Sequence, residues 1–200
     1  TASYTLNAAS GSPPSICMVT VDSMSLNNVI YWDKTGYQLS KLDSFIIYRE
    51  VSTNIYKRVG AVSKDSLSMF VDSDRTIGPA NGDPNIGYYH YKLQLRDSCG
   101  TYSTLSPYHT SVYFNDLLNG TFTWNLYDVE GQTTPVANFI LLRDDNNTGN
   151  YLPVGTVAGT TTLLNDPNYT PFQFIANWRV DATGFNCSPT MRIGNGVQST

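Results

Sequence analysis

The chain has 200 residues, of which 40% are hydrophobic and only 14% charged, and it carries a net charge of −4 at pH 7. That acidic balance, with 12 scattered Lys and Arg, argues against a nucleic-acid partner or an anionic membrane surface, both of which need clustered positive charge. No apolar run approaches the roughly 20 residues a spanning helix requires, so membrane insertion is not expected.

Polarity comes from Thr, Ser, Asn and Tyr rather than from ions, and β-branched and aromatic residues are abundant. Such side chains suit a pleated, half-buried surface. No window holds apolar residues at the i, i+3, i+4, i+7 spacing of an amphipathic helix, so the composition reads as all-β. Residues 1–14, "TASYTLNAASGSPP", end in Ser, Gly and Pro and read as a linker or the tail of a preceding module. Strands are predicted near 17–22, 28–33, 44–50, 55–62, 67–72, 88–96 and 107–114. In "NVIYW" (28–32), Ile30 and Trp32 fall on one face and Val29 and Tyr31 on the other. Between the fifth and sixth strands lies "DRTIGPANGDPNIG" (74–87), whose Gly and Pro favour turns over a ladder. The segment 113–120, "YFNDLLNG", joins to a second series near 121–126, 138–143, 151–157, 161–165, 173–182 and 189–194.

The second series repeats the first. "VIYWDKTG…DSFIIYRE…YKRVGAV…FVDSD…YHYKLQLRDSCG" is echoed by "TFTWNLYD…ANFILLRD…YLPVGTV…LLNDPN…ANWRVDATGFNC". The offset is 92 at Trp32/Trp124, 94 at Phe45/Phe139, 95 at Val59-Gly60/Val154-Gly155 and 88 at Cys99/Cys187. Small drifts of this kind are what loop insertions between fixed strands produce. Two copies of one module of about 90 residues follow, each with about seven short strands, the pattern of a β-sandwich.

On these residues each copy resembles a fibronectin type III domain. They are the Trp closing the second strand (Trp32, Trp124), the "FIIYR"/"FILLR" third strand, and the sixth-strand aromatic followed by apolar residues (Tyr91-Leu93-Leu95, Trp178-Val180-Ala182). The resemblance implies two tandem immunoglobulin-like β-sandwich domains, placed at 15–115 and 116–200, with Trp32, Tyr91, Trp124 and Trp178 in their cores. Trp178 departs from the pattern, since an indole is a donor only, which puts the sixth-strand hydrogen bond of the second copy in question. More narrowly, "ICMVTVDS…NVIYWDK…DSFIIYRE…DSCGTYSTLSPYHT" is similar to tandem modules of secreted bacterial surface proteins associated with type IX secretion. That likeness implies a secreted or cell-surface location and neighbouring modules in the same chain.

The residues offer little for catalysis. His90 and His109 are the only histidines; both read as surface residues, and neither accompanies a nucleophile signature. Most aspartates precede turns, where they cap their own backbone. "DDNNTGN" (144–150) has the oxygen spacing of the first half of a calcium loop, but Gly155 stands where the bidentate Glu should be. An Asx- and Gly-rich turn accounts for it. No cysteine pair has zinc spacing, and no cofactor or metal is expected. Cys17–Cys99 is one conceivable bridge and buried free thiols are the alternative.

The expected function is a non-catalytic structural spacer or adhesion segment. The alternative is a ligand-binding module for glycans or other surface proteins. For the latter, alternation places Tyr88 and His90 outward on the sixth strand and Ile46 and Tyr48 outward on the third. With Tyr102 and Tyr108 these would form an aromatic platform in the first copy.

Overall fold

The computed structural model describes residues 15–22, 25–34, 37, 39–133, 135–184, 190–193 and 196–199. The expected linker 1–14 and Cys187 lie outside them. The chain divides into two compact units, one running to Ser111 and the other spanning Val112–Phe185, with the chain from Asn186 grouped with the first. The fold is all-β, and each unit is a sandwich of two antiparallel sheets.

In the first unit, β1 (Ile16–Val21), β2 (Asn28–Trp32) and β5 (Met69–Asp72) form one antiparallel sheet in the order β1-β2-β5. Its partner sheet has the order β4-β3-β6-β7, from β3 (Leu42–Ser52), β4 (Ile55–Ser63), β6 (His90–Asp97) and β7 (His109–Thr110). Inward residues of both sheets fill the gap: Trp32 and Ile30 from one, Phe45, Ile47, Tyr91 and Leu93 from the other, all at 0–1% exposure. The Trp32 and Phe45 rings meet at 5.3 Å between centroids. Apolar burial of this kind is the main favourable term in folding.

The second unit repeats the plan. β8 (Phe114–Asp116), β9 (Thr121–Trp124) and β12 (Leu163–Asn165) form one sheet in the order β8-β9-β12. β10 (Asn138–Asp144), β11 (Leu152–Ala158) and β13 (Asn177–Thr183) form the other, in the order β11-β10-β13. Trp124 packs on Phe139 at 5.5 Å, as Trp32 does on Phe45. The last strands, β14 (Thr190–Ile193) and β15 (Gly196–Ser199), pair with each other.

Several expectations need correction. The predicted 107–114 strand is interrupted, because β7 ends at Thr110 and Phe114 already pairs with Trp124 in the second unit. The predicted 173–182 strand starts only at Asn177; a single helical turn, α1 (Tyr169–Phe172), precedes it, and Pro171 is tolerated there because a first turn needs no N–H donors. Alternation also fails at Val29 and Ile46, both 1% exposed. Each lies on a strand flanked on both sides, Ile46 between Ala61 and Gln94, so neighbouring side chains cover the outer face as well. His109 is not a surface residue: it is 7% exposed, and burial lowers its pKa to about 4. Cys17 is disulfide-bonded and Cys99 is an exposed free thiol. The Cys17–Cys99 pairing therefore does not form, and Cys99 is not buried.

A buried polar group ties the two sheets together in each unit. Arg49 on β3 places Nη1 2.5 Å from Asp72 Oδ2 on β5, both side chains fully buried. Tyr91 on β6 donates its hydroxyl to the same oxygen at 2.7 Å. Arg49 Nη2 also donates to the carbonyl of Ile77 at 2.6 Å, so the loop after β5 closes over the charge. In the second unit Arg143 Nη1 donates to Asp166 Oδ2 at 2.7 Å, and Trp178 Nε1 donates to that oxygen at 2.9 Å. The indole thus does what the phenol does. Asp is the acceptor in both copies, so a donor-only side chain suffices, which answers the question raised by Trp178.

Candidate functional site: the outer face of the first sandwich

The platform was expected among the outward residues of β3 and β6, because alternate side chains of a strand share a face. Tyr48 and Glu50 come from β3, and His90, Lys92 and Gln94 from β6, while Tyr88 stands two residues before β6 and Tyr108 one before β7. The geometry turns these groups toward each other. His90 Nδ1 lies 2.6 Å from Glu50 Oε2. Its ring stacks on Tyr108 at 4.3 Å with 18° between planes, and Tyr88 lies 6.0 Å from it on another side. Lys92 Nζ sits over the Tyr56 ring at 5.0 Å and over Tyr108 at 5.8 Å, cation–π contacts that occupy the faces a ligand would use.

Tyr48 donates its hydroxyl to Gln94 Oε1 at 2.7 Å, and Gln94 Nε2 donates to the carbonyl of Ser103 at 2.7 Å. Burial raises the Tyr48 pKa, with smaller effects from Tyr102 and Arg58, so this phenol stays a neutral donor. Of the five platform residues, Tyr88 at 52% and Tyr102 at 48% remain exposed, while Tyr48, His90 and Tyr108 are half-buried. Ile46, expected beside them, is buried. Beside Tyr88 a cleft of about 340 Å³ is lined by Glu50, Val51, Ser52, Thr53, Pro79, Tyr89 and His90. That is within the range of small-ligand pockets.

The calcium-like stretch closes on itself. Asp144 Oδ2 accepts from the Gly149 amide at 2.6 Å, and Oδ1 accepts from the Asn146 amide at 3.4 Å and the Thr148 hydroxyl at 3.3 Å. Burial alone would raise the Asp144 pKa, but these bonds outweigh it and hold it below the usual value. An acceptor committed to its own loop is a turn, as the residue pattern suggests. Among the described residues, no group of three His, Cys, Asp or Glu could hold a metal, and no helix is long and apolar enough to cross a membrane.

What sequence reasoning missed is the pair of triads, each centred on a buried aspartate, Asp72 and Asp166. The signal was present: Arg49/Arg143 and Asp72/Asp166 recur at the same offset of 94, and an ion repeated at a fixed place in two otherwise apolar frames needs a partner inside.

No family model matches the chain, and no curated protein matches it. Among solved structures it is similar to the FN1–FN3 domains of chicken CNTN1. The identity is 12% and the TM-score 0.40, over 96% of this chain and 67% of that one. It is also similar to the central fibronectin-III array of RIM-binding protein, at 12% identity and a TM-score of 0.32, over 90% of this chain and 66% of that one. The chain thus spans about two thirds of each.

Proposed function

We propose that the chain is a non-catalytic structural spacer or adhesion segment of a secreted or cell-surface multidomain protein, of the bacterial, type IX secretion-associated kind its motifs resemble. Its partners are then neighbouring modules of the same chain. The observation that carries this reading is that the aromatics of the first sandwich's outer face are engaged with one another: His90 with Glu50 and Tyr108, Lys92 with Tyr56 and Tyr108. A ligand stacking there would first have to displace those contacts.

The cleft beside Tyr88 supports a second reading, a binding module for glycans or other surface proteins, since an exposed Tyr next to a carboxylate and hydroxyl side chains can both stack and hydrogen-bond. A broad glycan array probed with the whole chain separates the two. Silence is expected. Binding that is lost in Tyr48→Ala and Tyr88→Ala while folding is kept would replace the spacer reading by the second.

A further inference from the structure

Residues 73–89, seventeen in all, separate β5 from β6 in the first unit, whereas eleven, 166–176, separate β12 from β13 in the second. The longer loop is held down at several points. Arg49 donates to the carbonyls of Asp74 and Ile77 at 3.1 and 2.6 Å, and Arg75 Nη1 donates to that of Gly82 at 3.2 Å. The Tyr89 hydroxyl donates to the carbonyl of Asp83 at 3.0 Å. Gly78 lies so close to β3 that a Cβ there would meet Val51 Cγ1 at 3.1 Å. The next residue, Pro79, is therefore a fixed wall of the cleft that Glu50, Ser52, Thr53 and Tyr88 also line. A wall already in place spares a ligand the cost of ordering it.

Among the described residues no Lys or Arg lines this cleft, and Glu50 is its one carboxylate. Glu50 Oε1 accepts the Asn54 amide at 2.6 Å, and Oε2 lies 2.6 Å from His90 Nδ1. Each carboxylate oxygen has two lone pairs, so each keeps one for a donor from outside. The Glu50 side chain is only 20% exposed and is screened less than a fully solvated acid. Tyr88 stands beside it with 52% of its surface exposed. Lys92 lies over Tyr56 and Tyr108, and Arg49 over Tyr89, but among the described residues no cation lies over Tyr88. An anion would be repelled by Glu50 with no basic side chain to offset it. A cation would meet a carboxylate, two hydroxyl oxygens and an aromatic face, all of which attract it.

We propose that this cleft takes a Lys or Arg side chain presented by a partner protein, its cationic head bonded to Glu50 and its stem laid along Tyr88. The inference rests on the second reading above, which makes the cleft a binding place, and it selects a protein rather than a glycan as the occupant. A volume of about 340 Å³ has room for a long basic side chain with part of its backbone. The net charge of −4 steers a basic partner toward the chain.

The test titrates the whole chain with the N-acetyl methylamides of lysine, arginine and norleucine, following the NMR amide signals of residues 50–53 and 88–90. Norleucine keeps the stem of lysine without its charge. The lysine or arginine probe is expected to move those signals and to bind about tenfold or more tightly than norleucine. Glu50→Gln is expected to weaken that binding about tenfold, the size of effect one charge-assisted hydrogen bond supplies. Tyr88→Leu, at an exposed position, should weaken it as well, and it carries the test if Glu50→Gln lowers the melting temperature. Norleucine binding as tightly as lysine would keep the cleft as a binding place and overturn its choice of a cation. Binding unchanged in both variants, or no movement with any probe, overturns the proposal. Glycan binding that depends on Tyr88, found together with silent probes, would overturn this occupant while the second reading stands.

Discussion

Replacing Tyr91 by Phe removes one of the donors to Asp72 and leaves a buried carboxylate oxygen short of a partner. The expected loss is about 1–3 kcal/mol, and Trp178→Phe should cost a similar amount through Asp166; urea midpoints for the two variants test this. Arg49→Met should cost more, about 3–5 kcal/mol, because it strands a charge in the interior. His109 gives the first unit a pH dependence of known sign. Its folded pKa of about 4 lies below its ordinary 6.5, so the unfolded chain binds the extra proton between those values. Stability therefore falls as pH drops from 6.5 toward 4, by about 3 kcal/mol in all. Asp166 behaves differently. Burial pushes its pKa up, but bonds from Trp178, Asn168 and Arg143 prevail and lower it, so its contribution is full above the ordinary carboxylate pKa and is lost as the pH falls from there through the lowered value. Melting curves of His109→Met from pH 7 to 4 should show a flatter slope than the parent. An unchanged slope would assign the effect elsewhere.

At the scale of elements, the repeated Val-Gly of β4 and β11 has a spatial cause. A Cβ on Gly60 would run into the Phe70 ring of the facing sheet, whereas one on Gly155 would meet Leu164 Cδ1 at 3.0 Å. The rigid aromatic ring must swing as a whole to make room, while a Leu rotamer can give. Gly60→Ala should therefore cost about 1–3 kcal/mol, as overpacking does, and Gly155→Ala less; equal losses in thermal unfolding would contradict the distinction. The turn at Asp144 predicts that millimolar calcium leaves the melting temperature unchanged, and a clear upward shift would mean the loop opens to bind it. Strands were legible in the residues wherever alternation met a turn signal, as at Asn28–Trp32 and Ile55–Ser63. The early end of β7, the helical turn at Tyr169–Phe172 and the burial of Ile46 and His109 were not legible. They depend on which neighbours cover a face, and that is a property of the assembled sheet rather than of a local pattern. Alternation singled out Tyr48, Tyr88, His90, Tyr102 and Tyr108, but their contacts were not legible, since no spacing rule says that His90 will stack on Tyr108 or bond Glu50.

For the whole molecule, each unit encloses its own Trp-centred core, so each is expected to unfold by itself. Trp32→Ala removes a fully buried indole at a cost of about 3–5 kcal/mol, a large part of a small domain's stability. Calorimetry of that variant should show the transition of the first unit lost or lowered while the second keeps its melting temperature. A joint shift of both would mean that the units are coupled.

The charge bridging the two sheets of each unit also bears on load. Arg49 on one sheet grips Asp72 on the other, and Arg143 and Asp166 repeat the grip. Shearing one sheet past the other must part these ions before water can reach them, so the resisting force is concentrated in a few atoms and the yield is abrupt. A segment pulled from its ends would then extend in two sudden steps, one per unit, instead of stretching gradually.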